Sequence, residues 1–344
     1  MKAYYFNLRQ RILTFALLFS CYIGFAYSNT NAHKQFFRHD GSEITYYLKQ
    51  RGGKNLLVLI QGSDCNSIAN NKFVNNTFSD IYPDSDVLTV EKYGINASLP
   101  WSDVVERSDC PKAYIRLDTP EQRVKDYIQI IDYLKHQNKY KKIVILGGSE
   151  GAVVANLITS QVNYIHRTVS LNGGGRYFAD DVIHSMRSEV PPEHIDEAIK
   201  EFRDFQQKIA TGNNMGHIEM SNHGANWWRI SLGIDQYKVL SQTKRPILII
   251  QTLNDNSVSA GSAIKMEEQL KKDNITFYQY PGLSHGFRNS EGVLQITPIV
   301  EDIKNWLSIP VVFQVASLLA ALTHPGHIVI YAPGDSLPCR RDAS

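Results

Sequence analysis

The sequence contains no C-x-x-C pair and no H-E-x-x-H, so a metal site has no support in it. Its 11 histidines are scattered rather than grouped. No basic stripe appears, and 36 lysines and arginines against 34 aspartates and glutamates leave a formal charge of +2, so nothing points to nucleic acid. No apolar run reaches the roughly 20 residues that a membrane-spanning helix needs. The glycine-rich corner at Gly147-Gly148-Ser149 lacks the Lys-Ser/Thr of a phosphate loop. What remains is an ordinary globular composition, 43% hydrophobic and 20% charged. The chain of 344 residues is long enough to bury one large core or two small ones.

The N-terminus has its own pattern. Lys2, Arg9 and Arg11 precede an apolar stretch from Ile12 to about Phe25, which ends near the small-x-small triplet Ala26-Tyr27-Ser28. Residues 1–28 are therefore expected to be a cleaved secretory signal, giving an exported protein, periplasmic or secreted, with no stable span in its mature form. A retained anchor is the alternative. Leu18-Phe19-Ser20-Cys21 also resembles a lipoprotein box acylated at Cys21, although Phe19 is bulky for that box. Export would let Cys65 and Cys110 pair; two unpaired buried thiols is the other reading, and the sequence leaves both open.

Along the mature chain, Lys34–Gln50 reads as a hairpin about Asp40-Gly41. "NLLVLIQGS", "SDVLTVEKYG", "KIVILGG", "HRTVSLNGGG", "RPILIIQTLND" and "ITFYQYPG" read as strands, several of them continuous apolar runs of the kind buried on both faces. Between them, "DTPEQRVKDYIQIIDYLKHQ" is a helix with Thr119 as cap, Pro120 in its first turn and Gln122 completing a capping box. Alternating strands and helices predict an α/β fold: a mostly parallel central sheet with helices on both faces. Residues 176–244 interrupt this rhythm as a helical cap insertion, placed over the carboxyl edge of the sheet. Residues 308–344 follow the last expected helix as an extension without an assigned role.

The stretch "KKIVILGGSEGAVVANL" places Ser149 at a corner between a buried strand and a helix, within Gly147-Gly148-Ser149-Glu150-Gly151. Glycines are needed there because side chains would meet neighbouring backbone, and the helix N-terminus favours an oxyanion. A serine hydroxyl needs a base. His285, on the loop after "ITFYQY", has the expected chain order, and Asp255, just past "ILIIQT", is the candidate acid. The backbone N–H groups of Glu150 and Ser63, with Asp64 second to Ser63, are the candidate oxyanion donors. An ordinary β–α turn, a surface histidine and a turn aspartate are the bland readings of the same residues.

Gln61-Gly62-Ser63, Gly147-Gly148-Ser149-Glu150-Gly151, Asp255 and His285 together resemble the α/β-hydrolase family, particularly its dienelactone-hydrolase and prolyl-oligopeptidase-like branches, over about residues 35–307. Gln61 stands where many relatives have His. The resemblance implies a serine hydrolase: Ser149 attacks a carbonyl, His285 takes its proton, Asp255 orients His285, and water releases an acyl-enzyme. The implied partner is a small-molecule carboxylic ester, with lactones, macrolides among them, as a candidate subclass; no cofactor is implied. An exopeptidase or acylaminoacyl-type peptidase, and a non-catalytic binding protein, are the competing readings. In the cap, Trp227 and Trp228 either form an apolar wall for substrate or pack the cap onto the sheet. The Glu150 side chain either faces a cationic group or is a first-turn acid suited to the helix dipole.

Overall fold

The computed structural model describes residues 32–310 except Val105 and residues 213–217, with side chains from Gln35 onward. The expected signal of residues 1–28, the candidate acylation site at Cys21 and residues 311–344 of the 308–344 extension lie outside the described residues.

β1 (Ala32–Phe37) and β2 (Glu43–Lys49) form the antiparallel hairpin expected about Asp40-Gly41. Gly41 turns the chain with φ 81°, and Arg38 N–H reaches Ser42 C=O at 2.8 Å. β3 (Asn55–Ile60), β4 (Ser85–Val90), β5 (Ile143–Gly148) and β6 (Arg167–Leu171) follow. β7 (Glu219–Met220) and β8 (His223–Gly224) make a separate two-residue ladder. β9 (Ile247–Thr252) and β10 (Ile275–Tyr280) complete the main sheet, whose order is β1-β2-β4-β3-β5-β6-β9-β10. From β4 to β10 every pairing is parallel, and β2 is antiparallel to both its neighbours.

The apolar strand runs are continuous because both faces are covered. Leu56, Val58 and Ile60 of β3 face one core with Val124, Tyr127, Ile130, Ile131 and Leu134 of α3 (Pro120–Asn138). Val154, Ala155 and Ile158 of α4 (Glu150–Gln161) join it. Leu57 and Leu59, pointing the other way, meet Ile299, Ile303 and Trp306 of α10 (Thr297–Ser308). The period of two in one strand thus divides one apolar run between two cores. α3 begins as its sequence suggests, with Thr119 Oγ1 accepting from Gln122 N–H at 3.0 Å. Only half of the capping box forms, because the Gln122 side chain donates instead to Asp126 at 2.8 Å.

The short helix α1 (Lys72–Thr77) lies between β3 and β4 in the chain, and the short helix α2 (Lys112–Leu117) contacts β8. The 176–244 segment divides. α5 (Phe178–Glu189), α6 (Ile195–Thr211) and α7 (Ala225–Gly233) pack around a small core of their own that includes Phe202, Ile209, Trp227 and Trp228. α8 (Gln236–Gln242) instead contacts α4 and α9 (Ala260–Leu270), so it belongs to the layer that covers the sheet. No helix among the described residues is long and apolar enough to cross a membrane.

From β3 the chain crosses to β4 on one side, then returns to β5 on the other. Connections leaving in opposite directions open a crevice at the strands' carboxyl ends. Gln61-Gly62-Ser63 and Ser149 both lie there. A Cys65–Cys110 disulfide closes a sequence separation of 45 residues and ties the loop after β3 to the chain entering α2. Replacing both cysteines by serine should lower unfolding stability by about 3–4 kcal/mol through loop entropy, read by urea denaturation; an unchanged midpoint would remove the bridge from the list of stabilising elements.

Candidate active site

Ser149 sits at φ 55° and ψ −127°, a conformation that costs energy for a residue with a side chain. Three backbone segments enforce it. A Cβ on Gly147 would lie 2.0 Å from Gly151 O, and one on Gly151 would lie 2.3 Å from Ile60 O. Ser149 N–H is held by Leu171 C=O at 2.8 Å. A Cβ on Gly62 would lie 3.3 Å from Ser149 Cβ, so the loop after β3 passes directly against the corner. Ser63, Ser149 and Glu150 line one cavity of about 70 Å³, walled by Phe178, Trp227 and Val258 among others.

Asp255 and His285 are brought into contact, His285 Nδ1 lying 2.7 Å from Asp255 Oδ2. The acid is buried on the loop after β9. Its Oδ1 accepts the N–H groups of Ser257 at 2.8 Å and Val258 at 2.9 Å, which fixes the carboxylate plane. Asn172, the residue after β6, joins the pieces. Its Nδ2 donates to His285 C=O at 2.9 Å, and its Oδ1 accepts from Thr252 N–H at 2.9 Å. Its own N–H reaches Ile250 C=O at 2.8 Å, while its neighbour Leu171 holds Ser149. No hydrogen bond joins Ser149 Oγ to His285 in this structure. Such contacts are commonly long without substrate and close in the reacting complex.

Behind the cavity lies a buried network of charged and polar groups. Arg123 Nη1 pairs with Glu150 Oε1 at 2.6 Å, and Trp227 Nε1 donates to Glu150 Oε2 at 2.6 Å. Arg123 Nη2 donates to Gln61 C=O at 2.5 Å, and Tyr114 OH to Ser63 C=O at 2.5 Å. Burial opposes the Arg123 charge, but Glu150 and Asp118 more than restore it, so its pKa is raised. His223 stacks on Trp227 with ring centres 3.7 Å apart, and burial lowers its pKa to about 4. Among the described residues, no group of three or more His, Cys, Asp or Glu side chains converges as metal ligands would.

A family model described as "BAAT / Acyl-CoA thioester hydrolase C terminal" matches residues 126–287. Est1E from Butyrivibrio proteoclasticus, in a structure with ferulic acid bound, superposes with a TM-score of 0.52 at 15% identity, over 83% of this chain and 99% of that one. The Pyrococcus furiosus esterase Pf2001 gives 0.52 at 16%, over 81% and 91%. The 2,6-dihydroxy-pseudo-oxynicotine hydrolase gives 0.53 at 14%, over 81% and 68%. This is the α/β-hydrolase fold. A search of curated protein sequences finds no match.

On that α/β-hydrolase frame, the two cap tryptophans have different surroundings. Trp227 lines the cavity beside Ser149. Trp228 does not line it; its ring lies among Phe178, Phe202 and Phe205, and its Nε1 donates to Met220 C=O at 3.2 Å. The Glu150 side chain faces Arg123 and Trp227 rather than a free cation site. The Gln61 side chain turns away from the cavity to Asp64 and to Asn66 C=O, and only its carbonyl joins the network. Sequence reasoning did not find Arg123, Tyr114 or Asn172. For Arg123 a signal existed: it occupies the same helical stripe as Tyr127, Ile130 and Leu134, a charge where the periodicity calls for an apolar residue.

Two outcomes follow from the network. Replacing Arg123 by Met should destabilise the protein by roughly 3–5 kcal/mol, because Glu150 would be left buried and unpaired; chemical denaturation measures it. His223 should remain neutral from pH 5 to 8 in a histidine NMR titration, and a midpoint near 6.5 would contradict its burial. The unfolded chain takes that proton near pH 6.5 and the folded one only near 4. The group's contribution to stability is therefore present above pH 6.5 and is lost as pH falls toward 4.

Proposed function

We propose that the protein is a serine hydrolase that cleaves carboxylic esters through an acyl-enzyme. The observation that carries this reading is the 2.7 Å contact between His285 and a buried Asp255, built on strand ends that also anchor the strained corner bearing Ser149. In the reaction, Ser149 Oγ attacks the ester carbonyl as its proton passes to His285 Nε2. Asp255, bound at Nδ1, fixes the imidazole orientation and stabilises the imidazolium. The negative charge on the carbonyl oxygen is met by the N–H groups of Ser63 and Glu150, the second aided by the N-terminus of α4. His285 then protonates the leaving alcohol. It next activates water, which releases the acid and restores Ser149.

The matched family model is named for thioester hydrolysis and the structural neighbours are named as esterases and a hydrolase; both support acyl-bond cleavage by this chain. A lactone carbonyl requires the same attack and belongs to the same proposed substrate class. Export is part of the reading, since the Cys65–Cys110 bridge suits an oxidising compartment.

Short p-nitrophenyl esters test the mechanism. Ser149→Ala should lower kcat/KM by about a thousandfold or more, and a fluorophosphonate probe should label Ser149 in the native protein. Equal turnover by the two proteins would overturn the mechanism. Absence of both labelling and turnover would favour a binding protein, and labelling with cleavage of peptides alone would favour a peptidase. Asp255→Asn should retain the fold and lose most of kcat, as expected when the imidazole tautomer is no longer held.

A further inference from the structure

The cavity beside Ser149 has apolar walls, including Phe178, Trp227, Ile234 and Val258, yet three polar side chains line it besides Ser63, Ser149 and Glu150. Asp181, Gln236 and Ser231 are 2%, 5% and 6% exposed. Buried polar atoms in native proteins nearly always have partners, so any that lack one require an explanation. Asp181 Oδ1 accepts the N–H groups of Ser259 at 2.8 Å and Gly175 at 3.4 Å, whereas Oδ2 accepts from no described residue. Gln236 Nε2 donates to Gly173 C=O at 2.9 Å and Gly175 C=O at 2.7 Å, which orients the amide, and Oε1 accepts from no described residue. Of these unpartnered atoms Ser231 Oγ alone is fully enclosed, and it has no hydrogen-bond partner among the described residues. These groups are held firmly: a Cβ on Gly174 would lie 2.2 Å from Asp181 Oδ2, so backbone packs against the carboxyl.

We propose that this cavity receives a short acyl group carrying a hydroxyl, which hydrogen-bonds to Gln236, Ser231 and Asp181. The inference rests on the hydrolase reading and narrows it to a substrate class. Gln236 Oε1 can only accept, so the substrate group must donate. Ser231 Oγ–H can donate in return, so a group that also accepts fits best, and a hydroxyl does both. An ammonium cannot accept, and it would need an ionised carboxylate beside it. Burial works against that ion, raising the Asp181 pKa to about 7, with Asp180 and Asp255 adding to the effect. A plain alkyl chain would leave Ser231 Oγ, Gln236 Oε1 and Asp181 Oδ2 unpaired, and sites built to bind a hydroxyl reject the analogue that lacks it. A cavity of about 70 Å³ favours a short chain.

The test compares p-nitrophenyl butyrate with its 2-hydroxy and 3-hydroxy analogues on the native protein and on Ser231→Ala. The quantity read is the ratio of kcat/KM between hydroxy and plain ester within one protein, which a loss common to both substrates does not move. We expect at least about a tenfold preference for one hydroxy ester in the native protein. That preference should fall at least severalfold in Ser231→Ala, and likewise in Asp181→Asn. Plain esters cleaved as well as both hydroxy esters, with the ratio unmoved in the variants, would overturn the subsite and leave the hydrolase reading standing. If no ester is cleaved, the hydrolase reading fails by itself. Calorimetric binding of 3-hydroxybutyrate against butyrate then decides the subsite: tighter binding of the hydroxy acid upholds it, and equal or absent binding overturns it.

Discussion

Three backbone segments touch at the end of β5, and no side chain fits between them. Gly147 faces Gly151 across the corner, Gly151 lies against Ile60 of β3, and Ser149 is forced between them into a conformation it would not choose. The energy of that conformation is held by the surrounding sheet. Apolar side chains of β3 and β5 are buried on both faces, so the strands cannot separate to relax the turn. The same contact brings Gly62 to Ser149 and places the loop after β3 where an oxyanion would form. The hydroxyl's position, the approach of the β3 loop and the direction of α4 are consequences of one steric constraint.

Electrostatics then fix what sterics leave loose. Loop backbone beyond β3 has no ladder partner on its outer side, and Arg123 and Tyr114 take its carbonyls at Gln61 and Ser63. Arg123 is neutralised by Glu150, which in turn accepts from Trp227 of the cap. A buried ion pair contributes little net stability compared with apolar packing, because desolvation opposes the Coulomb gain. Its effect here is positional: Glu150, on the helix after Ser149, is joined to the loop after β3 through Arg123 and to the cap through Trp227. Lys92 paired with Asp64, and the Cys65–Cys110 bridge, hold the same loop from its far side.

Under the proposed reading, the cap would carry selectivity. Trp228, Phe202 and Phe205 lie within the cap's own core, whereas Trp227 and Phe178 pack in that core and, with Ser231, also line the cavity. The wall opposite comes from the sheet side, through Gln236 of α8 and the Asp255–Ser259 loop that also holds Asp181. The loop that bears Asp255 thereby also fixes Asp181, a candidate specificity group on α5, through the Ser259 N–H.

Much of this was readable from residue order. Continuous apolar runs ending in glycine marked the parallel strands, Asp40-Gly41 marked the hairpin, and Gly147-Gly148-Ser149-Glu150-Gly151 marked the corner, because strand period, turn chemistry and glycine spacing are local properties. The order Ser149, Asp255, His285 was visible for the same reason, each residue lying just past an apolar run. What local pattern could not supply was any pairing between distant side chains. Arg123 with Glu150, Asn172 with the His285 loop, the separate surroundings of Trp227 and Trp228, and the unpaired groups of Asp181, Gln236 and Ser231 arise only when strand order brings their elements together. A residue's own sequence neighbourhood sets its backbone. Its partners are set by which elements the sheet places side by side, and that was decided by tertiary packing alone.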